Sequence, residues 1–524
     1  MKKILSILLV VTMLFLTVIP AFATEKSGAD VPNVYVQGQG AAIYNSEGRD
    51  VYNTKFDDKQ YVLDAIKDCM PSFLKAVTSD TDEAWDAYNE KLDSWYFPAF
   101  DDFFLDKNGE ASNGTYAKGV YNGATLKDVK KSDGYALSSY LFAKDWRLDP
   151  CDNAKILSAY IDAVKAATGS DKVNLIGRCE GANIVMAYLA EYGEKNDVNC
   201  VILYVQSANG TDNVSSLFSG NIYIDTVSLT RYKDRALQID DQVTAELIDT
   251  LIEFATNTHL LDAAALSGSA ILQKVYNKTI TRLLRETYAT LPGIWSVVNA
   301  DAYDDAIKGI FGGYEEEYAG LLEKLNHYDK TVRQRTDEII EEAIARGVKV
   351  ANFTKYGNYQ VAPISETSTE YSDGVINVAW ASMGATSPRY GRQLSDAYIK
   401  NAQRKGTDKY ISPDKLIDAS TCLIPDTTWF VYNSEHREFP GTIDAYLLKF
   451  LRANGEMTVF SDPTMPQYLV CADAADGYTV SVMDSKNGFK PEETKYLTNK
   501  LQWKDMIMRL FESIINFLKQ MLSK

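Results

Sequence analysis

Residues 173–182, Val-Asn-Leu-Ile-Gly177-Arg178-Cys179-Glu180-Gly181-Ala182, carry an apolar run into a Gly-x-Cys-x-Gly sequence. A thiol with glycine two residues to either side fits a sharp strand-to-helix turn, where a Cβ at either glycine would strike neighbouring backbone. Such a turn lifts the sulfur clear of a sheet and aims the first N–H groups of the next helix, Glu180 among them, at a reacting carbonyl. The flanks fit: Lys172 to Ile176 is strand-like, and Asn183 to Tyr192 has a helical apolar period. Cys179 is the candidate nucleophile, with Gly177 and Gly181 as its elbow glycines. The plainer alternative is a buried cysteine in an ordinary strand-to-helix turn.

A thiol with an ordinary pKa of about 8.5 needs a base to act near neutrality, and the chain has three histidines. His259 lies in a helical stretch and His327 in a charged one, as surface or helix-packing residues do. His436 follows the strand-like run Thr427 to Tyr432, so it is the candidate base. An acid to orient it is expected on the loop after Val348–Phe353, and Asp373, in Tyr-Ser-Asp373-Gly374-Val, is chosen although Asp-Gly is also a common turn dipeptide. The intervals are 373 − 179 = 194 and 436 − 373 = 63 residues. The order nucleophile, acid, histidine is that of α/β-hydrolases and differs from other triad orders.

With these residues the chain resembles the lecithin:cholesterol acyltransferase-like lipases over most of residues 31–450. Val31 to Gly40 looks like that family's first core strand and oxyanion loop. Phe142-Ala-Lys-Asp145-Trp146-Arg147-Leu-Asp-Pro is similar to its Asp-Trp-Arg block. Leu291-Pro292-Gly293-Ile-Trp295 is similar to its Pro-x-x-Trp block, and Ser372–Val375 to its acid loop. The chain departs from the family in having cysteine for serine, Glu180 where small residues follow the nucleophile, and Gln37 before the first glycine of the loop. The Gly-x-Cys-x-Gly box is similar to that of polyhydroxyalkanoate synthases on the same fold.

The resemblance implies an α/β-hydrolase fold, a mostly parallel sheet flanked by helices with a large helical cap insertion. It also implies N–H donors for an oxyanion at Gln39 and Glu180. The activity implied is lipase-, esterase- or acyltransferase-like, on lipid or other ester substrates through an acyl-thioester. The competing expectation is an inactive homologue that binds a lipid or a surface. No cofactor is expected, and the cysteine spacings with so few histidines lead to no metal assignment.

The elements that must position these residues set the chain's organisation. Met1-Lys2-Lys3 followed by an apolar run and Ala21-Phe22-Ala23 has the form of a secretory signal peptide over residues 1–23, short for a spanning helix. The product would be secreted or held at the cell envelope. Residues 24–485 are expected to form the catalytic domain, with an insertion at 45–135 and a helical cap at 212–346. The cap's Leu260, Leu261, Leu291 and Trp295 are placed either along an acyl-binding groove or in the cap's own core. Residues 486–524 hold an amphipathic helix whose stripe includes Trp503, Ile507, Leu510, Ile514 and Phe517 and whose polar face is net basic. It suits a membrane or lipid interface, and equally docking on the body or on another copy.

The formal charge is 54 − 71 = −17, and −19 once Lys2 and Lys3 leave with the leader. A surface of that sign argues against nucleic acid, whose binding draws on clustered lysine and arginine. The cysteines are Cys69, Cys151, Cys179, Cys200, Cys422 and Cys471, too few for a disulfide scaffold at this length. The sequence fixes no oligomeric state.

Overall fold

In the computed structural model the described residues are 31–51, 55, 58–100, 102–123, 140–222, 260–358, 370–438, 443–453, 456–474 and 477–489. Residues 1–23, where a leader is expected, His259 and the run 501–524, where an amphipathic helix is expected, lie outside them, as do the side chains of Leu260 and Leu261.

Among the described residues there are ten strands: β1 (Asn33–Val36), β2 (Ile43–Tyr44), β3 (Tyr116–Ala117), β4 (Tyr140–Phe142), β5 (Val173–Arg178), β6 (Val198–Tyr204), β7 (Lys349–Tyr356), β8 (Thr428–Tyr432), β9 (Tyr468–Ala474) and β10 (Gly477–Val482). Eight of them make one sheet in the order β10-β9-β8-β7-β6-β5-β1-β4, parallel throughout except for the β9–β10 hairpin at one edge; β2 and β3 pair separately. The central strands are apolar along their length because both faces are covered. In β6, Val201 and Leu203 face one core, while Cys200, Ile202 and Tyr204 face the other.

Two crossover helices pack on the first face. Helix α1 (Pro150–Thr168) follows β4 with clear start and stop signals. The Asp149 side chain accepts from the Cys151 N–H, Pro150 opens the first turn, and Gly169 closes the helix at φ 71°. Helix α2 (Glu180–Tyr192) follows β5. The helix Ile443–Arg452 covers the opposite face through Ile443, Leu447 and Phe450. The architecture is α/β, a mostly parallel sheet flanked by helices.

After β1 the chain continues to β4 on one side, then crosses to β5 on the other. The strand order thus reverses at β1, and in open sheets of this kind ligands bind beyond the carboxyl ends of the strands at such a reversal. Gly38 and Cys179 both lie there, at the ends of β1 and β5.

Between β1 and β4, within the expected insertion, lie two helices, Lys59–Ser79 and Asp82–Tyr96. They are separated at Asp80 (φ 52°) and restarted by a Thr81 cap. Between β6 and β7 the described part is mostly helical, from Asp212–Ser219 through Leu260–Val275 and Ala300–Phe311 to α3 (Ala319–Thr331) and Thr336–Ala345. This segment has its own apolar core, in which Trp295 packs against Phe218, Tyr303 and Phe311. Leu291 is fully buried against Trp146 and Phe103. Of the two placements open for these residues, a groove and the segment's own core, Trp295 takes the core, whereas Leu291 is buried against residues outside the segment.

Candidate active site

The strand ends carry the strain expected of an elbow. Cys179 sits at φ 52°, ψ −129°, a left-handed conformation that a side chain adopts at a cost of about 1–3 kcal/mol. Val205 beyond β6 (φ 44°) and Asn433 beyond β8 (φ 57°) are also left-handed. All three are held alike. The N–H of Cys179 donates to the Tyr204 carbonyl (3.0 Å), that of Val205 to Phe353 (2.8 Å) and that of Asn433 to Tyr356 (2.8 Å). Each bond ties a strand's exit to the next strand of the sheet.

The glycines are required by contact. A Cβ at Gly177 would lie 2.7 Å from the Ala182 Cα, and one at Gly181 would lie 2.2 Å from the Val36 carbonyl oxygen and 2.7 Å from that of Gln37. A third close approach was not foreseen: a Cβ at Gly38 would lie 2.9 Å from the Cys179 Cβ. The loop after β1 is therefore pressed onto Cys179, with Gln39 next in line and exposed.

Asp373 lies on the loop beyond β7 and His436 on the loop beyond β8, neighbours in the sheet, so 63 residues of separation close to direct contact. The His436 Nδ1–H donates to Asp373 Oδ2 at 2.6 Å, and the His436 backbone N–H donates to the Asp373 carbonyl at 2.8 Å. Asp373 Oδ1 accepts from the N–H groups of Val375 (3.0 Å) and Ile376 (2.8 Å). The imidazole also reaches the Cys179 side chain within hydrogen-bonding range, with Nδ1 already committed to Asp373. Asp373 is fully buried, and Cys179 keeps some exposure.

Electrostatics favour charge separation along this chain. Burial alone would raise the Cys179 thiol; the His436 imidazole and the Glu180 N–H outweigh it and bring the thiol below 9.0. Burial would depress His436, but Asp373 and Cys179 raise it from 6.5 to about 10. Asp373 is held below its ordinary 3.8, because His436 and two N–H donors overcome its burial. The lowered thiol and the raised imidazole both favour a thiolate–imidazolium pair beside the Asp373 carboxylate, and the cysteine–histidine pair titrates as a unit.

Glu180, the departure beside the nucleophile, is completely buried and pairs with Lys144, itself 2% exposed. Burial pushes the Glu180 carboxyl up while Lys144 opposes the rise, and Glu180 Oε1 has no protein partner. Lys144 belongs to the Asp-Trp-Arg block, which holds it rigidly. Arg147 is clamped on Asp145 (2.7 and 3.0 Å) and bonds the Phe103 carbonyl and the Thr115 hydroxyl. The Pro-Gly block closes over that loop: the Gly293 N–H donates to the Arg147 carbonyl, and a Cβ at Gly293 would lie 1.9 Å from the Trp146 carbonyl oxygen. Two blocks far apart in sequence are one packed contact behind α2.

The Arg178 Nη2 donates to the His436 carbonyl at 3.2 Å. Lys355 has no sequence signal, yet it lies fully buried on β7 and donates from Nζ to the carbonyls of Glu435 (2.9 Å) and Glu438. Burial lowers it to about 8, against the pull of Asp373. It anchors the loop that carries His436. β7 runs three residues past the expected Phe353, which is what brings Lys355 into the interior.

His327 lies on α3, more than half exposed and 2.8 Å from Glu191 Oε1, apart from Cys179. With Cys151 these two bring a sulfur, an imidazole nitrogen and a carboxylate oxygen within 4.8 Å of one another. None of the six cysteines is in a disulfide. No protein-family model, curated protein or solved structure matches the chain.

Proposed function

We propose that the protein is a cysteine-dependent acyl hydrolase or acyltransferase of α/β-hydrolase type, acting on lipid or other ester substrates, with the helical segment between β6 and β7 as its cap. The observation that carries this reading is the continuous chain Cys179, His436, Asp373 at a strained elbow. A structural cysteine needs neither the elbow strain nor a buried, acid-paired histidine.

In the reaction, the Cys179 thiolate adds to the ester carbonyl, and the oxyanion forms against the Glu180 N–H and that of Gln39. The His436 imidazolium gives its proton to the departing alkoxide, so an alcohol leaves and an acyl-thioester remains. The now neutral imidazole takes a proton from water or an acceptor alcohol, whose oxygen adds to the thioester carbonyl. Collapse expels the thiolate and restores the ion pair. Asp373 keeps Nδ1 protonated and stabilises the imidazolium throughout.

The test is to trap the intermediate. A p-nitrophenyl ester should release a burst of p-nitrophenol stoichiometric with enzyme, and mass spectrometry of the quenched protein should find the acyl group on Cys179. Cys179→Ala should show neither. A protein that releases nothing from esters of several chain lengths and carries no adduct would refute the reading.

A further inference from the structure

We propose that Cys151, Glu191 and His327 form a binding site for a divalent cation of the zinc class, distinct from the elbow. The three come from three helices, Cys151 in the first turn of α1, Glu191 in the last turn of α2 and His327 in α3. Backbone order thus fixes the donor atoms before any ion arrives. Their separations are at most 4.8 Å. Tetrahedral zinc with bonds of about 2.0–2.3 Å holds its donors roughly 3.3–3.7 Å apart. The His327 to Glu191 contact of 2.8 Å would open slightly and the widest gap would close, both within the reach of side-chain rotation.

The donor set is selective. A thiolate with an imidazole favours zinc and its neighbours, whereas magnesium and calcium take oxygen ligands. The thiol presently bonds the Glu191 carboxylate, so an entering ion would displace one proton to solvent and gain the thiolate. Thr331 Oγ1 lies 3.5 Å from His327 Nδ1, on the ring side away from Glu191, where a partner commonly orients a metal-bound histidine.

The surroundings provide access. The three residues line a cleft of about 1000 Å³ whose walls carry five carboxylates against three lysines. Cys151 forms the buried floor and His327 the exposed rim, which leaves a fourth position for water. Metal chemistry at Cys179 is not involved, because Glu191 is at the far end of a 13-residue helix, about 20 Å long, from the elbow. An ion here would join the helical segment between β6 and β7 to the two helices packed on the sheet.

The test uses the full chain with Cys179→Ala, so that the elbow thiol contributes no signal, and cobalt(II) as the probe. Expected are a thiolate-to-cobalt charge-transfer band in the near ultraviolet, displaced by one equivalent of zinc, and a Tm raised by zinc and restored by chelator. Adding Cys151→Ser should abolish the band. His327→Ala, at an exposed position that does not endanger folding, should weaken zinc affinity by about tenfold or more. Absence of the band in the Cys179→Ala protein, its survival in Cys151→Ser, or unchanged zinc affinity in His327→Ala would overturn the proposal.

Discussion

Replacing Asp373 with Asn tests the electrostatic argument at its strongest point. The change keeps the shape and leaves Oδ1 to the Val375 and Ile376 N–H groups, but sets an amide where Oδ2 accepts from His436 at 2.6 Å. The rise of His436 from 6.5 to about 10 corresponds to roughly 5 kcal/mol in favour of the imidazolium, at about 1.4 kcal/mol per pH unit. Asp373 is the largest favourable contributor and Cys179 the other, so the larger share of that support, on the order of 3 kcal/mol, is lost with the carboxylate, while the burial penalty stays. The equilibrium constant of the ion pair over its neutral form should fall by roughly a hundredfold, and kcat/KM should fall with it.

The assay is the alkylation rate of Cys179 by iodoacetamide against pH. In the wild type the rate should rise through a midpoint lower than that of an ordinary thiol, with the imidazolium persisting to about 10. In Asp373→Asn the midpoint should move to higher pH as the thiolate loses its cation. Cys200 and Cys422, each raised to about 12 by burial, give no competing signal in this range. A profile unchanged by the substitution would refute the claim that the buried carboxylate sustains the pair.

Four further outcomes follow from the contacts described. Lys144→Met strands the Glu180 carboxylate and should cost about 3–5 kcal/mol in urea unfolding, and adding Glu180→Leu should recover most of it. Gly181→Ala places a methyl 2.2 Å from a backbone oxygen and should lower stability by about 3 kcal/mol or more, with activity lost in whatever protein folds. Lys355→Met should lower kcat about tenfold with little change in KM, because it frees the His436 loop without touching substrate. Trp295→Ala should destabilise by about 3–5 kcal/mol while leaving acyl-chain preference unaltered, since the ring fills a core. A changed chain-length preference would return Trp295 to a binding groove.

The elbow and the order of the three site residues were legible because each follows an apolar strand, and strand ends are visible in a sequence. That Asp373 meets His436 depends on β7 lying beside β8, which local pattern does not encode, although the order of the residues points to it. Lys355 and the Lys144–Glu180 pair were not legible, because a buried lysine looks like a solvated one until its surroundings are known. The Cys151, Glu191 and His327 cluster was hidden for the same reason, its members being 40 and 136 residues apart on three helices. The groove or core question at Leu291 and Trp295 depended on which neighbours fold over them, and apolar character alone serves either.

The contact at Gly181 has an evolutionary consequence. The spacing between α2 and the end of β1 is set by backbone against backbone, a glycine Cα beneath two carbonyl oxygens, with no side chain between them. Side-chain exchanges elsewhere in the interior alter volumes and are absorbed by neighbouring side chains, but they do not enter this gap. The apolar residues of the sheet and helices can therefore drift over generations without moving the sulfur. At Gly181 replacement by anything larger has no compensating change nearby, because what the new side chain would meet is backbone.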